Sequence, residues 1–168
     1  MPETQEQYKA RILGHVGTRE PLPLLASAPA SLARLLDGIS DELLARRPSP
    51  EKWSVGEIVA HLADDELVGA YRIRMILSAP GTDIQAFDQD VWATTGRYAS
   101  SDPATSLALF RALRQANLVL LLALEPDEWD RFGIHAERGR ESVRDIVAYY
   151  AGHDINHFRQ IESILRRE

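Results

Sequence analysis

His153 and His157, four residues apart, are the residues of this 168-residue chain best placed to do chemistry. On a helix, side chains at i and i+4 stand one turn apart on one face, so both imidazoles can reach a single metal ion. His61, far upstream, is the third candidate. Three imidazoles from two facing helices make a three-nitrogen site with open coordination positions. A cation held there lowers the pKa of a bound water to about 7 or converts a bound thiol to thiolate. The same spacing also fits a pair of hydrogen-bonded core histidines, and spacing alone does not choose between the two. A zinc-protease reading fits poorly, because that chemistry needs a glutamate directly after the first histidine, whereas Asp154, Ile155 and Asn156 fill the interval here.

Other residues could serve the same site. Asp65 follows His61 by four residues and can orient an imidazole or accept a proton, while Asp64, Asp65 and Glu66 also read as a solvated charge run pairing with Arg72 or Arg74. His135 lies in a loop that ends at Gly139, where it either lines the open side of a metal site or is a plain surface histidine. Arg138, Arg140 and Arg144 cluster before and at the start of the last helix, and Arg138 and Arg144 are candidates to hold a carboxylate of an incoming substrate or cofactor. His15 has no partner pattern and reads as surface. Trp53, Trp92 and Trp129 read as packing residues.

The elements that must position these groups are helical. Val143, Ile146, Val147, Tyr150, His153, His157, Ile161 and Ile164 recur at steps of three and four, so one helix, capped by Ser142 with Asp145 and ending near Arg166, turns both histidines to the core. Ser54 with Glu57 forms a second capping box, opening a helix that carries His61, Ile58, Leu62 and Asp65 on one face and runs to about Leu77. A third helix opens at Asp102 and Pro103 and continues to Leu124. Another is expected from Glu20 to Leu44 with a break near Pro29 or Gly38, preceded by a short leader from Gln5 to Leu13. No alternating β-branched run appears, so the long connection from Thr82 to Ser101 and the stretch around Gly133 and Gly139 read as loops. The expectation is an all-α fold, a four-helix bundle with a short N-terminal leader helix, forming one domain over residues 1–168.

Composition narrows the functions open to such a bundle. Hydrophobic residues make up 45% and charged residues 26%, which suits an ordinary globular domain rather than a disordered chain. A net charge of −6 is opposite in sign to the footprint that nucleic acid or an anionic membrane requires. There is no cysteine, so thiolate nucleophiles and thiolate ligands from the chain itself are excluded. The longest apolar run, Leu118 to Leu124, is too short to span a membrane, and Glu3 and Glu6 stand where a signal peptide would be basic. A cytoplasmic protein with a small-molecule substrate is expected.

The stretch Trp53, Ser54, Val55, Gly56, Glu57, Ile58, Val59, Ala60, His61, Leu62, Ala63, Asp64, Asp65, Glu66, together with Gly152, His153, Asp154, Ile155, Asn156, His157, Phe158, Arg159, Gln160, Ile161, resembles the DinB-like superfamily, which includes YfiT-type metal-dependent hydrolases and thiol transferases. The likeness covers about residues 20 to 166. It implies an up-down-down-up bundle that binds one divalent metal ion, nickel or zinc, through His61, His153 and His157. It gives Asp64, Glu66, Asp88, Asp90 and Trp92 places in the motifs, and makes His135 similar to a loop histidine of YfiT-type members, although the proline of that loop is missing here. It further implies a homodimer and an enzyme that is either an S-transferase using a low-molecular-weight thiol such as bacillithiol, mycothiol or glutathione, or a hydrolase. The reading set against it is a non-catalytic helical bundle that binds metal or another protein.

Overall fold

Most of the long helices begin where a side chain can satisfy the free amide groups of the first turn, and the computed structural model, which describes residues 3–166, shows these caps directly; the helix Pro21–Leu36 starts on a proline without one. Thr4 with Gln7 opens α1 (Gln5–Val16), Ser54 with Glu57 opens α4 (Val55–Ser78), and Ser142 with Asp145 opens α7 (Val143–Leu165), each as a complete capping box. Asp102 caps α6 (Pro103–Leu122), whose first position is a proline that has no amide hydrogen to satisfy.

The stretch expected as one helix from Glu20 to Leu44 is two, α2 (Pro21–Leu36) and α3 (Asp41–Ala45). Gly38 adopts φ +73° in the break, and Ser40 then accepts the Leu43 amide to start α3. Pro29, the other expected break, lies inside α2 without ending it. A proline has no N–H to offer the carbonyl four residues earlier. That carbonyl, Leu25 O, accepts instead from the buried Arg114 Nη1 at 3.1 Å.

Four helices, α2, α4, α6 and α7, make the bundle, and their side-chain pairs set its directions. Glu66 and Arg74 of α4 pair in order with Arg114 and Asn117 of α6, so these two helices run the same way. Leu25 packs in one apolar cluster with Val147 and Ala151, and Leu32 in the other with Ile161, so α2 and α7 are parallel to each other. Gly69 faces Tyr150 while His61, one end of α4, meets His153 and His157, which makes α4 and α7 antiparallel. The topology is therefore up-down-down-up, with α1 laid along α7 outside the bundle.

A parallel α4 and α6 require the chain between them to walk back along the bundle. That connection was expected to be a loop, and so was the stretch after α6; both contain regular structure. β1 (Asp83–Ile84) pairs in parallel with β2 (Phe132–His135), which pairs antiparallel with β3 (Gly139–Ser142). Between β1 and α6 lie α5 (Gln89–Thr95), capped by Asp88, and a short 3-10 turn at Tyr98–Ser100. Strands of two and four residues are too short to write an alternating pattern into a sequence. The small sheet sits beside the end of the bundle where it fixes His135 opposite Ile84.

Two apolar clusters fill the bundle interior. One gathers Ile73, Ile76, Leu121, Val143 and Val147; the other gathers Ile58, Leu62, Phe110, Leu32 and Ile161. Between them runs a buried polar layer, and the histidines belong to it.

Candidate metal centre

The α7 stripe read from the sequence is the buried face of that helix, and it carries His153 and His157 into the interior together. His61 arrives from the antiparallel α4 at the same level. All three rings are buried. His153 Nε2 lies 3.3 Å from His61 Nε2 and 3.1 Å from His157 Nε2, and one ligand nitrogen from each ring falls within 4.8 Å of the others. Nitrogens that share one ion at about 2.1 Å stand roughly 3.0–3.4 Å apart, so both spacings from His153 match a shared ion, and the three rings form a cluster that could hold one.

The outer nitrogens say which face of each ring is free. His157 Nδ1 is 3.0 Å from Gln160 Oε1, an acceptor, and His153 Nδ1 is 3.3 Å from Asp65 Oδ2, close enough for attraction though off hydrogen-bond alignment. The Gln160 acceptor holds the proton on His157 Nδ1 and leaves the Nε2 lone pair pointing inward, and the Asp65 carboxyl beside His153 Nδ1 favours the same tautomer there. His61 Nδ1 has no hydrogen-bond partner among the described residues, and its ring packs against Trp53 at 4.9 Å. Burial, with the other rings, pushes the pKa of all three histidines well below the ordinary value. Three neutral imidazoles with converging lone pairs fit a divalent cation.

Behind the trio, Arg114 closes the polar layer. Its guanidinium donates to Glu66 Oε2 at 2.9 and 2.7 Å and to Asp154 Oδ2 at 2.7 Å, while Asn117 Nδ2 donates to Glu66 Oε1 at 2.6 Å. Asp64, Asp65 and Glu66 are thus not a solvated run: Asp65 and Glu66 are buried, and Asp64 accepts the Tyr98 hydroxyl at 2.7 Å. Burial, reinforced by Asp154 and Glu66 and opposed by Arg72, raises the Asp65 carboxyl to about 7.

On the other side two of the three rings, His61 and His153, line a cleft of about 480 Å³ together with Asp65. Of the remaining candidates, His135 and Arg138 line this cleft, and Arg144 does not. His135 is 2% exposed rather than a surface-loop residue, because β2 pins it beside β1. Arg144 is exposed and lies 3.5 Å from Asp130 and over the Trp129 ring. Tyr149, stacked on His153 at 6.1 Å, and Tyr8, Arg72 and Phe87 complete the walls, and none of them is a site candidate from the sequence. Tyr149 sits four residues before His153, a spacing that could have placed it; Arg72 and Phe87 reach the cleft only through the fold.

The sequence profile of the DinB superfamily matches residues 24–161. A candidate metal-dependent hydrolase of Oceanobacillus iheyensis is 26% identical over 140 residues, 83% of this chain and 81% of the relative. YfiT of Bacillus subtilis, also described as a candidate metal-dependent hydrolase, is 24% identical over 147 residues, 87% of this chain and 83% of its own. The solved structure of YfiT, noted for an unusual four-helix bundle topology, superposes with a TM-score of 0.82 over 98% of this chain and 89% of that one. A mycothiol-dependent maleylpyruvate isomerase shares the fold at a TM-score of 0.60 and 12% identity, over 84% of this chain and 56% of that chain.

Proposed function

The chain belongs to the DinB superfamily, and from that membership together with the inward convergence of three imidazoles we propose that it is a divalent-metal-dependent enzyme acting on a small molecule. The observation that carries the reading is the arrangement of Nε2 atoms beside an open cleft, since a purely structural site would be closed. The relatives described as candidate metal-dependent hydrolases support the hydrolytic form of this chemistry, with water as nucleophile. The thiol-transfer form uses the same centre with an exogenous low-molecular-weight thiol, which is necessary because the chain has no cysteine. Nickel and zinc both suit three imidazoles.

His61, His153 and His157 would hold the ion, which when bound supplies positive charge that lowers the pKa of a water or thiol. The residues around it do the rest. Asp65 and Gln160 keep the His153 and His157 rings turned with Nε2 inward. Asp65 also lines the cleft, where a carboxyl raised to about 7 can take the proton of the incoming nucleophile near neutral pH. Tyr149, Tyr8 and Phe87 give the substrate apolar walls.

Plasma mass spectrometry of tag-free protein tests the centre. Near-stoichiometric nickel or zinc in the wild type, lost in His61→Ala, His153→Ala and His157→Ala variants of unchanged helicity, is expected. Wild-type protein that carries neither metal and cannot be loaded overturns the reading. With metal in place, thiol-dependent loss of monobromobimane marks transfer, and turnover of an ester or amide without thiol marks hydrolysis.

A further inference from the structure

Two buried arginines in this protein are treated very differently. Arg114 is sandwiched between Glu66 and Asp154, so its charge is fully compensated. Arg72, 5% exposed, has no carboxylate within 4.0 Å among the described residues. Its Nη2 donates to the Gln85 carbonyl at 2.9 Å, its guanidinium lies over the Phe87 ring at 5.7 Å, and neither Nε nor Nη1 has a hydrogen bond among the described residues. Asp65 bears on this guanidinium only from beyond ion-pair distance, so a largely buried cation is left without a directly paired carboxylate, and an anion that enters the cleft can supply one. Arg72 lines the cleft.

His135 tells the same story from another wall. Its Nδ1 accepts the backbone N–H of Glu137 at 3.1 Å and of Arg138 at 3.3 Å, which places the ring proton on Nε2. That Nε2–H is buried without a partner among the described residues, and His135 lines the cleft. Arg138 stands beside it, held over Tyr149 and by Glu141 through Nε at 2.7 Å and Nη2 at 2.9 Å, with Nη1 left over. Burial, with the charges of Arg138 and Arg72 that bear on the ring, holds His135 at about 4, so it is a neutral donor at physiological pH.

We propose that Arg72, Arg138 and the Nε2–H of His135 form an anion subsite in the cleft wall, and that it takes a carboxylate carried by the substrate. This deepens the enzyme reading above and rests on it, because the carboxylate would anchor a molecule whose reactive end lies at the imidazole trio. A planar carboxylate matches the free edge of a guanidinium and one further in-plane donor. A dianionic phosphate matches less well, since Asp65, Glu137 and Asp88 also line the cleft and Glu141 already neutralises Arg138. The subsite keeps Arg138 of the two arginines expected from the sequence and replaces Arg144 with Arg72, which arrives from α4.

The test titrates benzoate, its neutral analogue benzamide and inorganic phosphate into zinc-loaded full-length protein, with affinity and the His135 Nε2–H resonance followed by NMR. Benzoate is expected to bind and to shift the His135 signal, with benzamide at least about tenfold weaker. Arg72→Gln is expected to weaken benzoate about tenfold without changing zinc content, and Arg72→Lys to recover part of that loss. Equal binding of benzoate and benzamide, or unchanged benzoate affinity in Arg72→Gln, overturns the subsite while leaving the metal centre standing. Tighter binding of phosphate than benzoate overturns the carboxylate assignment. Arg72-dependent benzoate binding to protein that takes up no zinc would instead sink the metal reading and leave the subsite intact. If Arg72→Gln does not fold, the wild-type His135 shift and Arg72→Lys decide alone.

Discussion

His153 is the hinge of the centre, because its Nε2 faces both other rings while its Nδ1 faces Asp65. The carboxylate does what a second layer of partners does in metal sites: it fixes the tautomer and raises the donor strength of the ring. Asp65→Asn keeps the size and removes the charge, so metal affinity should fall about tenfold to a hundredfold in competition with a chromophoric chelator. Wild-type affinity in that variant would show that the carboxylate does not orient the ring. Asp65 was visible in the sequence as a neighbour of His61 one turn away, yet its partner turns out to be a histidine on another helix. Its alternative reading as part of a solvated run fails because α4 buries Asp65 and Glu66 while it packs against α6 and α7.

At the scale of elements, the helices are held at this level by the Arg114 layer and by close approaches of backbone. Arg114→Met would leave Glu66 and Asp154 as buried charges without a cation, and unfolding by urea should show a loss of about 3–5 kcal/mol. Adding Glu66→Gln and Asp154→Asn should recover much of it, since the penalty belongs to the uncompensated charges. Full retention of stability in the single variant would contradict this account. Gly152, next to His153, is where α1 touches α7: a Cβ there would collide with the Ile12 carbonyl, whose carbon would be 2.8 Å away. Gly152→Ala should therefore push α1 outward and lower stability by about 1–3 kcal/mol, with Tyr8 leaving the cleft wall. Thermal melts and tyrosine fluorescence together would detect both effects.

At the scale of the whole molecule, neutral buried histidines tie stability to pH. His135 is held at about 4 in the native state against an ordinary value near 6.5, so the unfolded chain binds the proton first as the pH falls. The contribution of His135 to native stability should consequently be complete above pH 6.5 and be lost between there and about pH 4. The imidazole trio, depressed in the same direction, steepens the decline in metal-stripped protein. Chemical denaturation at several pH values should show this slope, and His135→Gln should reduce it. Asp65, raised to about 7, contributes in the opposite sense over the same range, so the comparison with His135→Gln isolates the histidine, and an unchanged slope in that variant would contradict its burial as a neutral ring.

The sequence by itself determined the long helices, their starts and the ring faces of His61, His153 and His157. Those features are local: a capping box lies within four residues, and a 3.6-residue period places side chains on a face without reference to the rest of the chain. What it could not decide was everything that depends on which helix lies beside which. The parallel run of α4 and α6 sends the connection back along the bundle and creates a small sheet whose strands are too short to announce themselves. That sheet buries His135, and the same return brings Phe87 against Arg72 and leaves Arg144 outside. Pro29 makes the contrast plain: its missing N–H is written in the sequence, but only the packed bundle supplies Arg114 to take the carbonyl it frees.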